Sequence, residues 1–83
     1  MGEKQIGAVD HFFDKISVGM IKLTDVVKVG DKLRIKSKAS DFVQEISSMQ
    51  IDRVPAQEGK AGDVISLKVD QKVRPGDAVY KVE

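Results

Sequence analysis

Val27-Lys28-Val29-Gly30-Asp31-Lys32-Leu33-Arg34-Ile35-Lys36 is the stretch that decides the fold. It is a corner that feeds a strand. Glycine accepts a positive φ at a corner, and an aspartate beside it can bond the turn backbone. From Lys32 onward the chain alternates: Leu33 and Ile35 face one way, and Lys32, Arg34 and Lys36 the other, as a strand of period two requires. The Gly-Asp pair recurs at Gly62-Asp63 and at Gly76-Asp77, each time directly before a further strand candidate. Residues 63–69 point Ile65, Leu67 and Val69 inward, and residues 78–82 close the chain. The pairs read as turns rather than ligand sites. They describe a sheet built from hairpins and corners, not strands joined by helical crossovers.

The remaining strands follow from β-branched runs between turn residues. Residues 6–13 form the first, and Asp14-Lys15 is a tight turn. Ile16, Val18 and Met20 then alternate with small or polar residues, and the phase slips at Ile21 and Leu23, which predicts a bulge at Gly19. Residues 42–54 are long for one strand. Their alternation runs through Phe42, Gln44 and Ile46 and restarts at Met49, Ile51 and Arg53, so a second bulge is expected at Ser47-Ser48. Residues 55–62 form the longest loop. No window of helical length carries apolar residues at helical spacing. Six short strands, strong corners and two bulges predict an all-β chain, a small closed six-stranded antiparallel β-barrel. One domain covers residues 1–83, with residues 1–4 loose.

Composition bounds the function. At 83 residues and 9.1 kDa, with 41% hydrophobic and 33% charged residues, the chain folds as a single small domain. Such a domain buries only roughly 60–65% of the surface it exposes when unfolded, so its stability is modest. There is no cysteine, which removes disulfides, thiolate metal sites and a cysteine nucleophile. No apolar run approaches the roughly 18 residues of a membrane span, and a cytoplasmic location is expected. The net charge is +1, so any electrostatic site is a local patch.

Catalytic signatures are missing from the sequence. It has no P-loop: Gly30-Asp31-Lys32 lacks the first glycine and the hydroxyl residue of that motif. It has no Gly-x-Ser-x-Gly. The single histidine, His11, cannot build a multi-histidine metal centre and reads as a polar position near a hairpin end. The chain is therefore expected to be no enzyme and to need no cofactor.

Two features are candidates for binding. Lys32, Arg34 and Lys36 share one strand face about 6.6–6.8 Å apart, close to the phosphate spacing of a nucleic-acid strand. Lys38 extends this stripe if the strand continues. The competing reading is a solvated face, with Asp41 and Glu45 on the following strand pairing across and neutralising it. Phe12 and Phe13 are adjacent, so on a strand one enters the core and the other faces out. The outward ring stacks a base, anchors a protein partner, or packs under the 55–62 loop.

The segments Val18-Gly19-Met20-Ile21 and Val27-Lys28-Val29-Gly30-Asp31-Lys32-Leu33-Arg34-Ile35, with Glu58-Gly59-Lys60-Ala61-Gly62-Asp63-Val64-Ile65 and Arg74-Pro75-Gly76-Asp77-Ala78-Val79-Tyr80, resemble the second domain of translational GTPases such as elongation factor Tu. The likeness runs through nearly the whole chain. It implies a six-stranded antiparallel barrel. A similar barrel is also appended to some collagenase-like peptidases. The GTPase domain is missing, so the resemblance implies no nucleotide hydrolysis. It places the family's pocket glutamate at Gln50 and its pocket asparagine at Val64, where the charge and the side-chain hydrogen bond are respectively absent. Two expectations follow. The first is a translation- or RNA-associated binding module in which Lys32, Arg34 and Lys36 touch phosphates and Phe12 or Phe13 stacks. The alternative is a protein-interaction barrel docking on an enzyme such as a collagenase-like peptidase, through Phe12, Phe13 and the 55–62 loop.

Overall fold

The computed structural model describes residues 2–38 and 41–82. The strands are β1 (Glu3–Phe13), β2 (Val18–Leu23), β3 (Val27–Lys28), β4 (Lys32–Lys36), β5 (Asp41–Glu45), β6 (Met49–Ile51), β7 (Val54–Ala56), β8 (Glu58–Gly59), β9 (Val64–Lys68) and β10 (Ala78–Val82). Eight of them form one antiparallel sheet in the order β5-β4-β10-β1-β2-β9-β6-β7, and β3 pairs with β8 in a small second ladder. The all-β class is as the alternation requires. β1 begins at Glu3, which pairs with Val82, so Glu3 and Lys4 belong to the sheet rather than to a loose end.

The expected closed six-stranded barrel is corrected in two respects. First, residues 42–62 hold four short strands, not one long strand and a loop. β5 ends at Glu45, and Ile46 leaves the ladder to bond the Gly30-Asp31 corner: its N–H donates to Asp31 O at 2.9 Å, and its carbonyl accepts from Gly30 N at 2.8 Å. The change at Ser47-Ser48 is thus a break between strands, not a bulge. Second, the sheet does not close. Among the described residues no ladder joins β5 to β7, the two ends of the strand order. The Gln44 side chain, only 7% exposed, bridges the seam between β5 and the chain after β9 instead. Its Nε2 donates to Lys68 O at 2.9 Å, and its Oε1 accepts from Asp70 N at 2.9 Å. One side-chain amide supplies the donor and acceptor of a missing peptide unit, so two backbone groups are satisfied without another strand.

The three corners behave as glycine and aspartate dictate. Gly30, Gly62 and Gly76 have φ of 98°, 94° and 94°. In each turn the aspartate N–H donates to the carbonyl three residues back, and its carboxylate accepts that residue's N–H: Lys28 N to Asp31 Oδ2 at 2.8 Å, Lys60 N to Asp63 Oδ2 at 3.0 Å, and Arg74 N to Asp77 Oδ2 at 2.9 Å. The sequence behind them is a basic residue, any residue, Gly, Asp, three times over. The positive φ at the third position is that of a type II turn.

The core lies on one face of the sheet. Ile6, Val9, Ile21, Leu23, Leu33, Ile35, Ile65, Leu67, Val69 and Val79 are buried as the alternation demands, with Phe42 as the aromatic among them. Each such side chain contributes about 1.5–3 kcal/mol on burial. The bulges fall elsewhere than expected. β2 does not slip: Gly19, Ile21 and Leu23 all face the core in unbroken alternation. The extra residues sit in β1, Asp10 against β2 and Ile6 against β10. Gly19 is small because the core is close there; a Cβ would lie 3.3 Å from a Val69 methyl.

Candidate functional site

The phase of β2 creates the site. Gly19, Ile21 and Leu23 point inward, so Ile16, Val18 and Met20 lie on the other side. Ile16 precedes the strand in the β1–β2 turn and is 61% exposed, and Val18 and Met20 are half-buried. These three residues are the apolar row that alternates with small or polar residues in the sequence. They floor a groove of about 470 Å³, completed by Phe13, Gln50, Val64 and Ser66, with Asp52 and Arg53 on its rim. The register explains the floor. Met20 lies opposite Ser66, and Ser66 opposite Gln50, so three neighbouring strands present outward side chains in one row. A shallower hollow continues past Val18, Gln50 and Ser66 to Ser48 and Lys68.

Two hairpin tips bound the groove. The β1–β2 tip carries Phe13 and Ile16. The β6–β7 tip is a two-residue turn, since Ile51 pairs with Val54 across Asp52-Arg53. Among the described residues, the non-glycine positions with positive φ are Ser17 at 54°, Asp52 at 53° and Arg53 at 65°. All three sit in these two tips. A two-residue hairpin with both φ positive normally recruits Asn-Gly. Holding an arginine in the left-handed region costs on the order of 1 kcal/mol, and such strain concentrates where structure serves binding.

Phe12 and Phe13 separate as adjacent strand residues must. Phe12 packs against the core, and Phe13 is 41% exposed. His11 and Phe13 share a face as residues two apart on a strand, and the Asp10 bulge turns that face outward; their ring centroids are 4.6 Å apart and tilted by 60°. Phe13 does not lie under the 55–62 segment; it stands beside Ile16 at the groove mouth.

The basic stripe fares differently. Lys32, Arg34 and Lys36 do share one face of β4, but Arg34 is engaged through all three of its guanidinium nitrogens. Its Nε and Nη2 donate to the two oxygens of Asp41 at 2.7 and 2.6 Å, and its Nη1 donates to Glu3 Oε2 at 2.7 Å. The hydrogen bond from Arg34 holds the Asp41 carboxyl below the usual carboxylate range. The same bonds, Asp41 first and Glu3 second, push the guanidinium pKa up. Lys32 stands opposite Glu45 and Lys36 opposite Asp41 in the ladder. The middle of the stripe carries no excess positive charge, and each guanidinium nitrogen already has a carboxylate partner. Gln50 and Val64 do come together, both on the groove floor. Among the described residues no group of three or more His, Cys, Asp or Glu side chains converges as a metal ion would require.

No family model matches the chain. In sequence it is 38% identical, over 77 residues and 92% of its length, to an uncharacterized protease of Methanocaldococcus jannaschii. The chain spans 19% of that relative's length. In structure it is similar to the C-terminal domain of a Geobacillus thermoleovorans protein assigned to the U32 peptidases, with a TM-score of 0.90 over 96% of this chain and 93% of that one at 13% identity. The selenomethionine variant of that domain superposes with a TM-score of 0.87 over 92% and 96% of the two chains, again at 13% identity. At such identity the likeness speaks to the fold. The resemblance to translation factors is corrected accordingly: the chain is similar in sequence to a protease and in architecture to a peptidase C-terminal domain.

Proposed function

We propose that this chain is a non-catalytic accessory domain that docks on the catalytic portion of a peptidase. The observation that carries the reading is the 38% identity, over 92% of the chain, to one part of a much longer protease. A domain so joined to a catalytic unit needs a surface for it, and the groove supplies one. Its lining is mostly apolar with Gln50 and Ser66 among it, its rim carries one charge of each sign, and an aromatic ring and an isoleucine stand exposed at its mouth. That is the composition of an interface centre with a polar rim. With the translation-factor likeness corrected and Arg34 engaged, the RNA partner loses both of its supports.

The test is calorimetric titration of this chain against the Methanocaldococcus protease from which the matching segment has been removed. Wild type is expected to bind, and Phe13→Ala or Ile16→Ala to weaken binding by about 2 kcal/mol if each is a hot spot. The chain alone is expected to hydrolyse no peptide substrate. No heat with wild type, or equal affinity in both variants, would sink this reading.

A further inference from the structure

Two segments far apart in sequence, residues 36–38 and 74–78, build a second concave surface, distinct from the groove. In the β10–β4 ladder Ala78 pairs with Lys36. That register brings the Arg74–Asp77 corner against the end of β4. Between them lies a cleft of about 450 Å³ lined by Lys36, Lys38, Arg74, Gly76 and Asp77. Gly76 leaves one wall open: a Cβ built there meets nothing within 4 Å.

The cleft holds three cations and one carboxylate. Lys36, Lys38 and Arg74 enter none of the ion pairs among the described residues, in contrast to Arg34, Lys4 and Lys81. The Asp77 carboxylate is occupied, since its Oδ2 takes the Arg74 N–H that shapes the corner. Asp41 acts on Lys36 from the neighbouring strand, but both of its oxygens already receive Arg34. In a chain of net charge +1, three cations around one carboxylate are a local concentration of positive potential. No aromatic side chain lines the cleft, so it has no platform on which a base could stack.

We propose that this cleft binds a carboxylate-rich polypeptide segment of a protein partner, with Lys36, Lys38 and Arg74 as its anion contacts. The site goes beyond the docking groove and stands on its own observation, the convergence of three cations from two sequence-distant segments around a single carboxylate.

The experiment is fluorescence anisotropy of a short labelled peptide of alternating glutamate and serine titrated with the full chain. A glutamine-serine peptide and an oligouridylate of equal length run in parallel. The acidic peptide is expected to bind and to weaken as salt rises from about 0.01 to 1 M, where the screening length falls from about 30 to 3 Å. Lys36→Glu with Arg74→Glu, both at exposed side chains, is expected to weaken binding about tenfold or more. Lys32→Glu with Lys60→Glu makes the same change in net charge away from the cleft and is expected to leave affinity within about twofold. Circular dichroism confirms that each variant is folded. Three outcomes overturn the proposal: no binding of the acidic peptide, equal losses in the two double variants, or tighter binding of the oligouridylate than of the peptide.

Discussion

The outer faces of β4 and of β2 make opposite use of a strand's second side. On β4, the central outward residue is an arginine whose three guanidinium nitrogens all bond Asp41 and Glu3, so the middle of that face is satisfied within the chain. On β2, Val18 and Met20 face outward, and Phe13 and Ile16 at the strand's turn stay exposed. A polar face that satisfies itself gives up little on meeting another protein. An apolar face left uncovered stands to gain roughly 25 cal/mol for each Å² that a partner removes from water. The difference teaches that the charged stripe most conspicuous in the sequence is the less available surface, and the plainer apolar row the more available one.

The largest effect is expected where the two faces are joined. β1 lies between β10 and β2, and a Cβ on Gly7 would stand 2.4 Å from the backbone oxygen of Lys22. Backbone cannot yield as a side chain does, so Gly7→Ala should cost about 3 kcal/mol or more and disturb both faces, read as a fall in the urea midpoint. A midpoint that barely moves would mean that β1 and β2 are not this close.

Next comes the seam beside β5. Gln44→Leu keeps the volume but leaves Lys68 O and Asp70 N without their partner, an expected loss of about 1–3 kcal/mol. Val43→Thr, one residue away on the exposed side, should change stability by no more than about 0.5 kcal/mol. Equal losses at the two positions would show that Gln44 does not bridge the sheet.

A smaller effect sharpens the comparison further. Phe13→Ser with Ile16→Ser should leave the folded chain within about 0.5 kcal/mol per substitution, because neither side chain is buried in the free domain. A steep loss of stability would assign these residues to the core rather than to a docking surface.

The smallest effect is at the clamp. Asp41 titrates below its ordinary 3.8 in the folded chain because Arg34 bonds its charged form. A carboxyl with a depressed folded pKa adds stability that is complete above its unfolded value and is lost as pH falls through the folded one. Arg34→Gln should therefore lower stability slightly at neutral pH, leave the acid extreme nearly unchanged, and so flatten the limb between them. An acid limb identical to wild type would remove Arg34 as its cause.

Much of this was legible in the sequence, and the exceptions have physical reasons. β4, β9 and β10 follow from alternation, because each has one apolar side and one mixed or polar side. The three corners follow from Gly-Asp, because the chemistry is local: the glycine φ and the aspartate carboxylate act within four residues. The phase of β2 was not legible. Both of its faces are apolar, one for the core and one for the groove, and a glycine on the inward side disguised the true alternation as a slip. The seam was also hidden, since Gln44 sits in an ordinary inward row, and only the approach of residues 68–70, far along the chain, gives its amide a task. The cleft needed Lys36 beside Arg74, a juxtaposition that exists only through the β10–β4 register. The exposed ring is decided by the Asp10 bulge, which no local pattern around Phe12-Phe13 announces.

The most direct test of the account is chemical-shift mapping of the isotope-labelled chain as the protease catalytic portion is added. The account predicts perturbations centred on Phe13, Ile16, Val18, Met20, Gln50 and Val64, with the β4–β5 face unaffected. Perturbations confined to Lys32, Arg34 and their neighbours, or none at saturating concentration, would contradict it.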